Sequence, residues 1–152
     1  MKHKGWNAEF KKLVKSAITD YTETLGFKHY AVDVRWFDQD DTGERGGSLL
    51  AACTTDHRYL TATVKIYPCF EKRWISDGKH LYFIRETISH EIAHIATHSL
   101  WYIATSIYKD EGESVDAWES LTTVVGRLLY DIDKLKNKPV DKKKKSKNKR
   151  YH

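Results

Sequence analysis

The sequence predicts an α+β domain in which helices flank a small antiparallel or mixed sheet of about three strands. Apolar residues recur at helical spacing near the start and over the second half of the chain, and alternate at strand spacing between these regions. The 152 residues, 12% of them aromatic, suffice for one hydrophobic core. We therefore expect one folded domain over residues 1–135, followed by a Lys-rich tail over residues 136–152.

The first half of the chain is predicted to contain a helix and three strands. Helical periodicity indicates the helix over about residues 7–25, and alternating apolar residues over 30–36 indicate the first strand. Two more strands are predicted over 48–55 and 59–67, with a short turn between them. Pro68 ends the third strand because proline cannot donate to a ladder.

The second half is predicted to be helical. One helix begins near His80 and extends to the region of Ile107, and its predicted buried stripe comprises Ile84, Ile88, Ile92, Ile95 and Ile103. After a break at residues 109–113, a last helix is predicted from Ser114, a favourable N-cap residue, to about Leu135. Its predicted buried face comprises Trp118, Leu121, Val125, Leu128 and Ile132.

The segment HEIAH, from His90 to His94, carries the most specific chemistry in the sequence. The two histidines lie one helical turn apart, so both imidazoles can reach a single ion. Glu91 lies about 100° around the helix from His90, close enough to hydrogen-bond a water on the metal. We therefore predict a zinc site in which Glu91 is the general base that accepts a proton from this water.

A catalytic zinc site needs a third protein ligand. His98 is the nearest in sequence, but three histidines at four-residue spacing extend over about 12 Å of a straight helix. Glu119 is favoured because it lies on the next helix, near the small residues Thr122 and Gly126. Three acidic residues also compete for this role, although the helix dipole suits them to the start of the last helix: Glu111, Glu113 and Asp116.

Three segments follow one another in an order that is typical of a known class of proteins. They are the predicted strand that ends at Pro68, the HEIAH helix and the later WESLT segment, Trp118 to Thr122. The chain resembles, over about residues 5–133, the small gluzincin-like zinc metallopeptidases that are often encoded by bacteriophages. The resemblance implies a zincin-like fold and hydrolysis of peptide bonds in an intracellular protein, in the cytoplasm of a host if the chain is phage-encoded.

The same resemblance assigns roles to individual residues. It implies a zinc ion bound by His90, His94 and Glu119, with Glu91 as the base. It also implies that the strand before the helix, Thr61 to Tyr67, is an edge strand that pairs with an extended substrate. No residue has an obvious role in stabilising an oxyanion, and the candidate donors are Tyr102, Tyr108, His98 and Arg127.

Two different functions are also compatible with the HExxH motif. SprT-like proteases act on proteins crosslinked to DNA, but they usually use a third histidine and often carry a cysteine zinc ribbon, which Cys53 and Cys69 alone cannot form. The second possibility is a non-catalytic, zinc-stabilised protein that binds protein or nucleic acid. Glu91 favours catalysis, because a structural site has no chemical use for this carboxylate.

Positive charge is concentrated at the end of the chain. The segment from Lys134 onward contains nine lysines, one arginine and one aspartate and so carries +9, whereas the whole chain carries +5. This density of like charge predicts disorder and nonspecific, salt-sensitive attraction to nucleic acid. The absence of a signal-peptide pattern, a transmembrane run or a disulfide framework favours a cytoplasmic protein with no membrane partner.

Overall fold

The computed structural model describes residues 5–42, 47–56, 58–107 and 111–136, without the side chains of 99, 100, 102–107 and 111–114. The elements are α1 (Ala8–Thr24), β1 (Ala31–Trp36), β2 (Ala51–Asp56), β3 (Thr61–Ile66), α2 (Pro68–Ser76), α3 (Leu81–Ile107) and α4 (Glu111–Lys136). The described residues therefore form four helices and a mixed three-stranded sheet, which confirms the predicted α+β class. The predicted tail lies outside the described residues except for Lys136, which ends α4.

The sheet has the strand order β1-β3-β2, with β3 parallel to β1 and antiparallel to β2. Every residue of β3, from Thr61 to Ile66, is in register with a partner on both sides. The prediction that Thr61 to Tyr67 forms an edge strand is therefore wrong, because a central strand has no free edge to which a substrate could add. Periodicity indicates the faces of each strand, but it carries no information about strand order. The edge strand next to α3 is β2.

The hydrophobic core is a cluster of buried residues from the sheet and from all four helices. Ala62, Val64 and Ile66 alternate to one face of β3 and are buried there. The hydrophobic core also includes Phe10 and Val14 from α1. From α3 it includes Ile84, Ile88, Ile92 and Ile95, as predicted, whereas the side chain of Ile103 is not described. This stripe fixes the rotation of α3, so that His90 and His94 lie on another face of the helix.

Helix α2 was not predicted. Pro68 ends β3, but it also stands in the first turn of α2, where its missing N–H is not needed by the helix. Phe70 and Trp74 anchor this helix in the core with no measurable exposure. A single proline thus ends one element and begins the next, and only the first role follows from the sequence pattern.

Helix α4 begins earlier and presents a different face from the prediction. Ser114 lies inside the helix rather than at its N-cap. Leu121, Leu128 and Ile132 were predicted to be buried, but they are exposed, Leu128 by 58%. The face toward α3 instead comprises Trp118, Thr122, Val125, Gly126 and Leu129. Gly126 explains the rotation, because a Cβ at this position would lie 2.9 Å from the Cα of His90.

In the part of the chain that the structure describes, no helix is both long enough and apolar enough to cross a bilayer. The predicted break between the last two helices falls partly on residues 109 and 110, which lie outside the described residues. Residues 111–113, also predicted to be in the break, are helical.

Candidate metal centre

Helix α3 presents two imidazoles on one face. The ring centroids of His90 and His94 are 4.9 Å apart and the rings are nearly perpendicular, with an interplanar angle of 88°. His94 is the more deeply buried, with 7% of its surface exposed, and its ring also contacts Trp118 of α4 at 4.7 Å between centroids. The helical spacing of the sequence therefore brings the two histidines together as predicted.

Helix α4 contributes the third side chain. The carboxylate of Glu119 approaches both rings, with Oε2 at 3.6 Å from His90 Nε2 and Oε1 at 3.7 Å from His94 Nε2. One ligand atom from each of the three residues lies within 4.8 Å of the other two. Gly126, two turns further along α4, allows this proximity, because a Cβ there would lie 2.9 Å from the Cα of His90.

The two competing candidates whose side chains the structure describes, His98 and Asp116, are not part of this group. His98 lies one turn further along α3, where its ring is near Trp101 and Trp118. Asp116 is exposed near the start of α4. The side chains of Glu111 and Glu113 are outside the described residues, so the structure does not test them.

The three ligand atoms lie close enough together to hold one metal ion. Donor atoms about 2.0–2.2 Å from a four-coordinate ion lie about 3.4 Å from one another. The two separations between imidazole nitrogen and carboxylate oxygen, 3.6 Å to Oε2 and 3.7 Å to Oε1, are similar to that value and too long for hydrogen bonds. The three residues therefore form a group that could hold a metal ion, and neither imidazole forms a hydrogen bond with the carboxylate.

The protonation of the histidines suits the same role. Burial lowers the pKa of His90, against the opposing effect of Glu119. Burial and the neighbouring histidines lower the pKa of His94 to about 4. Both rings are therefore neutral near pH 7, and each retains a nitrogen lone pair that can bind a cation.

Glu91 lies beside this group but faces β2. Its side chain is buried, and this burial together with the charge of Glu119 raises its pKa to about 8. The backbone N–H of Cys53, on the edge strand β2, lies close enough to this carboxylate to act against the rise. The proximity of Cys53 to Glu91 is a feature that no sequence signal indicated.

A groove opens between the start of β2 and helix α3, with a volume of about 400 Å³. Its lining residues are Ser48, Leu49, Leu50, Ala51, Phe83, Glu86, Thr87, His90 and Glu91. His90 and Glu91 therefore face a space large enough for part of a polypeptide. The residues 48–51 were expected to form a strand, but their position beside the motif helix could not be inferred from their sequence.

The structure does not select a donor for an oxyanion. Arg127 is exposed on α4, and His98 lies near the tryptophans described above. The side chain of Tyr102 and the whole of Tyr108 lie outside the described residues.

Comparisons with protein-family models, with curated proteins and with solved structures found no match to this chain. A functional assignment therefore depends on the geometry of His90, Glu91, His94 and Glu119.

Proposed function

We propose that this protein is a zinc-dependent peptidase of the gluzincin-like type, with a zincin-like fold. The observation that carries the proposal is the convergence of His90, His94 and Glu119 from two helices, with Glu91 held beside them. A groove leads to this convergence, so a substrate can reach it. A SprT-like protease is less well supported, because Glu119 and not a third histidine completes the group.

The donor set favours zinc among the common divalent ions. Two imidazole nitrogens and one carboxylate are a frequent ligand set of catalytic zinc sites and leave a fourth position open. Calcium and magnesium bind through oxygen ligands and in higher coordination numbers. His90 and His94 would bind the ion through Nε2, the atoms nearest Glu119.

When bound, zinc would polarise a substrate carbonyl and increase the acidity of water in the site. Glu91 supplies the base: its carboxyl group is adjacent to the ligand group and shielded from bulk solvent, and the positive charge of a bound ion would offset its raised pKa and favour the ionised form. The Cys53 N–H lies near this carboxylate, which can accept a proton from the attacking water and later transfer it to the leaving amine.

The edge strand β2 offers a way to hold an extended substrate. The Tyr67 N–H donates to the Leu50 carbonyl, so Leu50 and alternate residues along β2 direct their backbone groups toward β3. Ala51 and Cys53 therefore direct theirs away from β3. Cys53 is engaged with Glu91, and Ala51 lines the groove. A substrate backbone can add to the sheet at Ala51, in the role that the sequence assigned to β3.

The groove also indicates which side chains a substrate should carry. Leu49, Leu50 and Phe83 give it apolar walls near His90. A substrate held at Ala51 would place alternate side chains into this groove. We therefore expect cleavage next to an apolar residue in an unfolded or flexible polypeptide segment.

The test compares peptide hydrolysis by the parent protein with that of Glu91→Gln, both loaded with zinc. The substitution preserves size and both histidines but removes the proton acceptor, so we expect hydrolysis to fall by at least about a hundredfold. Zinc content and thermal stability should stay unchanged. Glu23→Gln, an exposed change on α1, is the matched control and should retain full activity.

The possible outcomes distinguish the candidate functions. A parent that binds zinc but cleaves no member of a broad library of unfolded peptides would support a non-catalytic zinc protein. Equal hydrolysis by the parent and by Glu91→Gln would show that the activity has another source.

A further inference from the structure

A chain of buried hydroxyl groups lies behind His94, on the side away from Glu119. Thr122 Oγ1 is 3.5 Å from His94 Nδ1 and 2.8 Å from Thr97 Oγ1. Thr97 Oγ1 in turn accepts the Trp118 indole N–H at 2.9 Å and lies 3.1 Å from the Ala93 carbonyl. The side chains of Thr97 and Thr122 are almost fully enclosed, with 1% and 0% exposure.

The donors in this chain can be ordered by counting protons. Trp118 can only donate, and each threonine hydroxyl has one proton. If Thr97 donates to the Ala93 carbonyl, Thr122 must supply the proton of the bond between the two hydroxyls. Thr122 then has only lone pairs to offer His94, and Nδ1 of His94 must carry the hydrogen.

The reverse order satisfies fewer groups. If Thr97 donated to Thr122 and Thr122 donated to His94 Nδ1, the ring hydrogen would lie on Nε2. The Glu119 carboxylate oxygen near Nε2 is 3.7 Å away, beyond hydrogen-bond distance. The contact between Thr97 and the Ala93 carbonyl would also lose its proton. The first order uses all four contacts of the chain and leaves a lone pair on Nε2.

We propose that Thr122, oriented by Thr97, fixes His94 as the tautomer with hydrogen on Nδ1, so that the lone pair on Nε2 faces the metal position. Thr122 is therefore a positioning residue that acts through His94. The effect on zinc binding rests on the proposed function, whereas the tautomer of His94 can be observed in the protein without metal. The orientation of a ligand imidazole through its second nitrogen raises metal affinity, commonly by about 10- to 100-fold.

The first test measures zinc affinity by competition with a fluorescent chelator. Thr122→Val retains the shape but lacks the hydroxyl, so we expect affinity to fall at least about tenfold. Thr122→Ser restores the hydroxyl and should bind zinc within about threefold of the parent. Thr22→Val, which removes a hydroxyl bonded only to backbone carbonyls of α1, is the control and should not change affinity. Equal zinc affinity in Thr122→Val and the parent would overturn the proposal.

The second test needs no metal. The ¹⁵N couplings of His94, recorded by nuclear magnetic resonance at about pH 8 where an ordinary imidazole is neutral, distinguish the two tautomers. We expect hydrogen on Nδ1 in the parent and in Thr122→Ser, and a mixture in Thr122→Val. The separation of 3.5 Å is long for a hydrogen bond, so this observable decides whether the bond forms. Hydrogen on Nε2 in the parent, or an unchanged Nδ1 tautomer in Thr122→Val, would contradict the inference.

The two tests separate this inference from the proposed function. If the parent binds no zinc, the metal assignment fails, but the tautomer of His94 still shows whether the hydroxyl chain acts as proposed. If the parent binds zinc and Thr122→Val binds it equally well, the metal site stands and the role of Thr122 is rejected.

Discussion

Helices α3 and α4 hold two clusters of basic and acidic groups, which differ in whether their members form hydrogen bonds with one another. We call the cluster of Arg85, Asp133 and Asp20 the closed cluster, and the cluster of His90, His94 and Glu119 the open cluster. In the first, the Arg85 guanidinium contacts both carboxylate oxygens of Asp133, one of them at 2.6 Å. It also reaches Asp20 of α1 at 2.9 Å. Arg85 and Asp133 are largely buried, with side-chain exposures of 11% and 12%. The opposite charges are in direct hydrogen-bonded contact here, so this cluster joins three helices without a further ligand.

In the second cluster, the same two helices hold His90, His94 and Glu119 at separations that no hydrogen bond bridges. The neutral rings do not neutralise the carboxylate, and one ligand atom from each of the three groups lies within 4.8 Å of the others. The comparison teaches that proximity of opposite groups is not itself a sign of function. A closed set of contacts stabilises the fold, whereas an open set of ligand atoms retains the capacity to bind a cation.

The largest expected effect concerns the open cluster. The parent should hold about one zinc per chain, and replacing both His90 and His94 by Ala should lower zinc affinity by more than about a thousandfold, since two of three ligands are lost. The zinc content of dialysed protein, measured by plasma mass spectrometry, checks this. Full occupancy in the double variant would mean that zinc binds elsewhere.

The closed cluster should respond in stability and not in metal binding. Asp133→Asn leaves the buried Arg85 without its main counter-charge and should lower the free energy of unfolding by about 3 kcal/mol. Urea denaturation measures this change. Asp131→Asn is the control: Asp131 is exposed, 4.0 Å from Lys134, and its loss should cost less than about 0.5 kcal/mol. A large fall in zinc affinity in Asp133→Asn would show that the two clusters are coupled.

Gly126→Ala should affect both clusters through the helix separation. The added Cβ would meet the backbone of His90, and a shift of α4 should lower the free energy of unfolding by about 1–2 kcal/mol, even after the better helix propensity of alanine is included. Zinc affinity should fall as Glu119 moves with the helix. Ser120→Ala, on the exposed face of α4, is the control for urea denaturation and zinc titration. An unchanged zinc affinity would show that Glu119 adapts to the shift.

The smallest effect is expected at His98, which should not contribute to the open cluster. His98→Ala should change zinc affinity by less than about threefold, which corresponds to about 0.7 kcal/mol. Glu119→Ala should weaken binding by about a hundredfold, because it removes a ligand. Zinc titration of both variants checks the choice between the two residues. The opposite ranking would identify His98 as the third ligand.

Much of the site could be predicted because its ligands follow helical spacing. His90 and His94 share a turn of one helix, and Glu119 was favoured from its place on the next helix. The network behind His94 was not predicted. A threonine inside a helix has many local partners, so nothing in the sequence indicates that Thr97 and Thr122 meet across the interface.

The sequence predicted the fold where hydrophobic periodicity alone determines an element. It did not predict which of two apolar faces of a helix is buried. Helix α4 carries apolar residues on two faces, one with Val125 and Leu129 and one with Leu121 and Leu128. Hydrophobicity cannot choose between them. The glycine at 126 makes the choice, because only its face allows α4 to approach His90 so closely. The order of the three strands is equally invisible to alternation, which explains the error about β3.

The three candidate ligand groups come from two separate helices, and this has a thermodynamic consequence. An ion that binds across α3 and α4 binds only while the helices are docked, so its binding free energy adds to the free energy of folding. Free zinc at a hundred times its dissociation constant would stabilise the protein by about 2.7 kcal/mol. The melting temperature would then rise with free zinc and fall when a chelator is added. Thermal denaturation thereby becomes a titration of the site that requires neither a substrate nor any turnover.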